Sequence, residues 1–153
     1  MEKKLAQRLN RKHETNDPFE LIKLMDITIL LEDLGFNTWG YYTNVCRIPC
    51  IHINKLIAHY QQRYAAAHEL GHHLLHKGIS TPFLRANTLQ SVDKIEYQAN
   101  QFAVELLIPD KLLLEGATIY EAAAICGVPE EVALLKRPPK KGLWTDECSF
   151  INI

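Results

Sequence analysis

No run in this chain is apolar and long enough to span a bilayer, and MEKKLAQRLNRK at its start lacks the hydrophobic stretch of a secretory signal. The expected location is therefore the cytoplasm, with no membrane as partner. Cysteine is sparse: Cys46, Cys50, Cys126 and Cys148 form neither a CxxC pair nor the dense spacing of a secreted disulfide scaffold, so free thiols are expected. Cys46 and Cys50 stand four apart in what reads as extended chain, where a structural zinc would need two further ligands that are not obviously supplied. An excess of one charge is missing as well. With 17 Lys and Arg against 18 Asp and Glu the formal net charge is -1, which gives no electrostatic footprint for DNA or RNA. Nucleic acid is accordingly not an expected partner. Seven glycines and seven prolines, with no repeat and no low-complexity tract, exclude the disordered and fibrous classes.

What remains is a globular composition, 47% hydrophobic and 23% charged, on 153 residues, the size of one domain. Residues 1–137 read as that domain and 138–153 as a C-terminal tail. Helices are expected over 2–13 and 18–25, the second opened by Asn16, Asp17 and Pro18. Three β-branched or aromatic runs follow, Ile27 to Leu31, Thr38 to Thr43 and Ile48 to Ile53, whose short connections favour antiparallel pairing. Asn54 stands where an N-cap belongs ahead of a long helix from Lys55 to Lys77, closed by Gly78. After a polar loop over 79–90, a second strong helix is expected from Val92 to Leu107, capped by Ser91 and stopped by Pro109. Thr118 and Glu121 form a capping-box pattern before a short helix ending at Gly127, and Pro129 opens another reaching Arg137. These last two have the spacing of a helix-turn-helix, but Glu121, Glu130 and Glu131 would repel phosphate, so packing or partner docking is expected instead. The fold class is α+β.

The chemistry concentrates in Ala67-His68-Glu69-Leu70-Gly71-His72, an HExxH sequence inside the long helix. Four residues return His72 to within about 40° of His68 and about 6 Å along the axis, so both imidazoles can share one cation. Glu69 lies about 100° around from His68, placed to act as a base on a water. A catalytic zinc needs a third protein ligand. The solution HExxHxxGxxH is excluded, because this chain has Leu75 and Gly78 where the glycine and the third histidine would fall. On the following helix Ala99, Phe102, Ala103 and Leu106 make a buried stripe, and Glu96 lies on it one turn earlier. A carboxylate facing inward asks for a cation, which makes Glu96 the candidate third ligand, with Asn100 one turn on as its hydrogen-bonding neighbour.

His76 also falls on the histidine face, but a full turn too far along the axis; a place near the helix C-terminus suits it electrostatically without any ligand role. His73 points elsewhere, and His52 and His59 read as packing or surface residues. Tyr41, Tyr42, Tyr60, Tyr64 and Tyr97 each have a hydroxyl able to serve an oxyanion, and none is singled out.

His68-Glu69-Leu70-Gly71-His72, then Glu96-Tyr97-Gln98-Ala99-Asn100-Gln101-Phe102-Ala103 and Leu106-Leu107-Ile108-Pro109, with Ile51-His52-Ile53-Asn54 and Arg63 ahead of them, resemble the ImmA/IrrE family of metallopeptidases. The resemblance runs from about residue 20 to 137. It implies a thermolysin-like minimal zincin fold, Zn2+ on His68, His72 and Glu96, and Glu69 as the catalytic base. Family members of this short kind are often carried by phages and mobile elements, and some cleave a helix-turn-helix repressor. The resemblance therefore implies a protein substrate, such a repressor among the candidates, and an anti-repressor role. The rival expectation is a zinc-stabilised binding module that sequesters a partner without cutting it; Glu69 separates the two, since a structural site has no use for a base.

Overall fold

A computed structural model describes residues 1–81 and 89–139, the side chains of 89–92 excepted. Most of the expected loop over 79–90 and the tail beyond Pro139, Cys148 included, lie outside the described residues, while the helix expected from Val92 already includes Leu89, so Ser91 stands inside it and does not cap it. The chain opens with α1 (Glu2–His13), which buries Ala6 and Leu9 and stops where Glu14 turns left-handed at φ 55°. Then α2 (Pro18–Leu24) starts on Asp17, whose carboxylate accepts the Phe19 N–H at 3.0 Å, with proline in the first turn.

Strands β1 (Thr28–Glu32), β2 (Gly40–Val45) and β3 (Ile48–Asn54) form one sheet in the order β1-β3-β2. Val45 pairs with Ile48 across a two-residue turn in which Cys46 and Arg47 both have positive φ, 51° and 63°. That hairpin is antiparallel, as its short connection predicts. β1 instead runs parallel to β3, with Ile29 against Ile51 and Leu31 against Ile53. The sheet is thus mixed: β3, whose Ile51 and Ile53 are fully buried, takes the centre and pairs on both edges.

Asn54 does not cap a helix. It ends β3, and its buried amide donates to the carbonyls of Gly35 and Thr38 at 2.7 and 2.8 Å while its oxygen accepts from Leu56 N at 3.0 Å. The side chain thereby ties the β1–β2 connection to the strand beneath the site. Asn54→Ala is expected to lower unfolding free energy by about 2 kcal/mol, because it removes several hydrogen bonds made by one fully buried side chain; an unchanged urea midpoint would rule the tie out.

The long helix, α3 (His59–Leu75), consequently begins four residues later than expected and is entered by Gln61, whose side chain accepts from Ala58 N at 2.9 Å. It packs against both the next helix, α4 (Leu89–Leu107), and strands β2 and β3, and residues 64–72 are buried. Three alanines, Ala65 to Ala67, keep that segment narrow. Leu70, Phe102, Leu106 and Leu107 sit in the shared core, each contributing about 1.5–3 kcal/mol by its burial. Gly71 is the point of closest approach: a Cβ there would meet Phe102 Cδ1 at 3.0 Å and the Ala99 backbone at 3.3 Å. Alanine would gain up to ~1 kcal/mol of helix propensity but force α4 outward, at about 1–3 kcal/mol. The Gly71→Ala protein is therefore expected to melt lower than wild type, and a higher melting temperature would contradict this packing.

Three short helices follow: α5 (Asp110–Leu114), not anticipated from the sequence, α6 (Ile119–Cys126) with the Thr118/Glu121 capping box in place, and α7 (Glu130–Ala133), shorter than expected. Lys136 then closes the structure onto α4, its buried ammonium 2.8 Å from Glu105 and 2.7 Å from Asp110, which also meets Lys3 of α1 at 3.0 Å. This network joins α1, α4 and α5, and so holds the helix that carries Glu96.

Candidate metal centre

Because α3 presents His68 and His72 one turn apart and Gly71 lets α4 approach, the two imidazoles and the Glu96 carboxylate converge. His68 Nε2 lies 3.1 Å from His72 Nε2 and 3.1 Å from Glu96 Oε2, and His72 Nε2 lies 3.4 Å from Glu96 Oε1. Donor atoms on a tetrahedral ion with ~2.05 Å bonds stand about 3.3 Å apart. Each separation is close to that figure, the two to Glu96 running to different oxygens of its carboxylate; with one ligand atom taken from each residue, all three lie within 4.8 Å of one another. Glu96 Oε1 is moreover buried with no hydrogen bond, so the donor set fits a divalent ion both in spacing and in what it leaves unsatisfied. Among the described residues this is the group of His, Cys, Asp and Glu side chains close enough to hold a metal.

The electrostatics ask for positive charge. Burial pushes the Glu96 carboxyl up, but the neighbouring His68 and His72 outweigh it and hold the group well below the usual carboxylate range. His72 is lowered, chiefly by burial, and so is neutral near pH 7, as a ligand must be. Burial opposes charge on His68 too, yet Glu96 and the nearby Glu69 overcome it and raise its pKa. Two acids around one histidine pair favour a cation at Nε2, whether proton or metal.

Glu69 is 2% exposed and lines a cavity of about 190 Å3 together with Trp39, Gly40, Tyr64, His68 and Asn100. A Cβ on Gly40 would meet His52 O at 2.8 Å and Ile53 Cδ1 at 3.1 Å, so β2 lies this close to β3 beside the acid only because residue 40 is glycine; Glu69 Cγ, at 3.6 Å, would be in ordinary contact. The larger cavity between α1 and the end of α3, lined by Lys4, Arg8, Arg11 and Lys12, holds none of these residues.

Asn100 accepts the Tyr64 hydroxyl at 2.7 Å and also bears on His68. Tyr64 was not singled out from sequence, although it stands four residues before His68 and hence on the same helical face. Its ring is 6.3 Å from that of His68 and meets Trp39 edge-on at 6.3 Å; burial, with the charge of Glu96, pushes its hydroxyl far up, so it stays a neutral donor. The remaining histidines divide. His73 meets the Tyr42 hydroxyl at 3.0 Å, His52 lies between Glu32 at 2.6 Å and Thr43 at 3.2 Å, and His59 stacks on Phe19. His76, set aside from sequence, has its Nδ1 3.2 Å from His72 Nδ1.

The outer edge of β2 is partly taken. Thr81 brackets Tyr42, accepting its N–H at 2.8 Å and donating to its carbonyl at 3.2 Å, and Ser80 accepts from Asn44 N at 2.9 Å. Gly40, two residues earlier, directs its N–H and C=O to that same side, next to Glu69. Of the expected Thr38 to Thr43 edge, therefore, the part nearest the acid is the part that faces a cavity.

The chain is similar to known proteins over most of its length. The family model Peptidase_M78, described as IrrE N-terminal-like domain, matches residues 22–136, a span that contains all four site residues. The chain is 38% identical over 138 residues to a protein of Bacillus phage phi105 named "Uncharacterized immunity region protein 2", covering 88% of this chain and 87% of that one. It is 36% identical over 135 residues to "Metallopeptidase ImmA" of Bacillus subtilis (strain 168), covering 83% and 78% respectively. No helix among the described residues is long and apolar enough to cross a membrane.

Proposed function

Since this chain belongs to the IrrE N-terminal-like domain family, Peptidase_M78, and so to a metallopeptidase family, we propose that it is a zinc-dependent endopeptidase that hydrolyses a peptide bond in a regulatory protein. The observation that carries the reading is the convergence of His68 Nε2 and His72 Nε2, 3.1 Å apart, on the Glu96 carboxylate, whose two oxygens stand 3.1 and 3.4 Å from them, close to the ligand spacing of a tetrahedral ion, beside a buried Glu69. Residues 1–137 are the catalytic domain in this reading.

His68 and His72 would hold the ion through Nε2 and Glu96 through its carboxylate, three protein ligands with the fourth position left for water. When bound there, zinc supplies Lewis acidity, lowering the pKa of water from ~15.7 to roughly 7 and polarising a carbonyl. Glu69 takes the proton of the attacking water as its oxygen bonds to the carbonyl carbon, and delivers it to the amine nitrogen as the C–N bond breaks. Burial keeps that carboxylate from exchanging its proton with bulk solvent between the two transfers. Gly40 offers its outward N–H and C=O to an extended substrate backbone, which adds briefly to the β2 edge. Trp39 and Tyr64 wall the cavity, and Asn100 holds the Tyr64 ring in place by accepting its hydroxyl proton.

The substrate is a helix-turn-helix repressor of a phage or mobile element, and the protein acts in the cytoplasm as an anti-repressor. Support comes from the relatives, one named for an immunity region and one named ImmA. The test is co-expression with a helix-turn-helix repressor of the phage or mobile element that carries this chain, reading the repressor's mass. Two fragments are expected, and none in the presence of a zinc chelator; an intact regulator alongside zinc-loaded protein overturns the substrate assignment.

A further inference from the structure

A line of hydrogen bonds leaves the metal centre on the side away from Glu96 and crosses three helices. His72 Nδ1 lies 3.2 Å from His76 Nδ1, His76 Nε2 lies 3.2 Å from Gln98 Oε1, and Gln98 Nε2 lies 3.4 Å from Glu2 Oε1. His72, His76 and Glu2 are each less than a tenth exposed. We propose that His76, Gln98 and Glu2 form a polarised relay that fixes the tautomer and the ring orientation of His72, with His76 as the positioning residue. The inference rests on the reading of His72 as a metal ligand.

The polarity follows from the far end. A carboxylate only accepts, so Glu2 requires the amide nitrogen of Gln98 to point at it, which turns Gln98 Oε1 toward His76. That oxygen can only accept, so a neutral His76 ring carries its proton on Nε2 and leaves Nδ1 bare. A bare Nδ1 accepts, so His72 must carry its proton on Nδ1 and present an unprotonated Nε2 to Glu96 and His68. Nε2 is the atom that has to bind the ion. A carboxylate on α1 thus selects the ligating tautomer of a histidine on α3 through two intermediates, where a metal-bound histidine more often meets its carboxylate or carbonyl directly.

Glu2 is well suited to end such a line. Its burial opposes ionisation, but its own backbone amide, the Met1 amine and Gln98 hold its carboxyl below the ordinary glutamate range, and the Arg137 guanidinium stands 3.8 Å away. His76 cannot serve as an additional ligand to the same ion in this arrangement, because it occupies the opposite edge of the His72 ring from Nε2.

The experiment uses the full chain, 15N-labelled and loaded with zinc. Imidazole nitrogen shifts should show His72 protonated at Nδ1, with a coupling across the hydrogen bond to His76 Nδ1. Chelator competition should give a zinc Kd raised about 10–100-fold by His76→Leu, and restored for the most part by His76→Asn, whose Oδ1 falls near the lost Nδ1 and can accept. Should His76→Leu fail to fold, Gln98→Met decides instead: Kd is expected to rise several-fold and the coupling to disappear. Wild-type zinc affinity in His76→Leu, in Gln98→Met or with His72 protonated at Nε2 overturns the relay and leaves the metal centre standing. Absence of zinc binding by the wild-type chain overturns both.

Discussion

Zinc-loaded Glu69→Gln protein is expected to keep its metal and to lose peptide cleavage. Glutamine preserves the shape of a side chain that is only 2% exposed, and it leaves His68, His72 and Glu96 in place. What it cannot do is accept a proton from water and return it to an amine, a role worth about 10²–10⁴ in rate. The expected result is a fall in kcat/KM of at least that size, with metal content by mass spectrometry unchanged. Some loosening of zinc is expected too, since Glu69 contributes negative charge beside His68. Cleavage of the regulator at the wild-type rate would show that Glu69 is not the base and would favour a zinc-stabilised binding module.

The second large effect belongs to His72. This ring is fully buried and is joined at both nitrogens, to His68 and Glu96 on one edge and His76 on the other. His72→Ala removes one of three ligands and leaves the Glu96 carboxylate short of a partner in a site of low exposure. Zinc at a thousand times its Kd stabilises a folded protein by about 4 kcal/mol, which in a chain of this length is a rise in melting temperature on the order of 10 °C. That rise is expected in wild-type protein and absent in His72→Ala. An equal zinc-induced shift in both would place the metal elsewhere and sink the proposed centre.

Much of the site was legible because its signals are local or periodic. HExxH inside a helix brings two imidazoles to one face by the geometry of 3.6 residues per turn, and no tertiary information is needed to see it. Glu96 was readable for a different reason: a charge on an otherwise apolar stripe has to meet something. The same periodicity marked His76, four residues after His72, and places Tyr64, which was passed over, four residues before His68, but periodicity does not say which atom a side chain meets. Only packing put the Tyr64 hydroxyl on Asn100 and His76 behind His72.

Asn54 and the sheet show the opposite case. An asparagine ahead of a helical pattern satisfies every local rule for an N-cap, yet here its hydrogen bonds go to residues up to 20 positions back in the chain, at Leu34, Gly35 and Thr38. The turn at Cys46 and Arg47 carries none of the glycine or asparagine that usually announces positive φ in a tight hairpin. Strand order was equally hidden, since short connections say which strands can pair and not which one takes the centre.

By itself, then, the amino-acid order marked the two long helices, though not their first residues, the two histidines, the acid between them and the carboxylate expected to join them, all consequences of spacing along one chain. Tertiary structure decided how near the helices come, at Gly71, which strand edge stays open beside Glu69, and which nitrogen of His72 is turned to Glu96. Those are set by contacts between residues far apart in sequence, and close packing allows only one arrangement of them at a time.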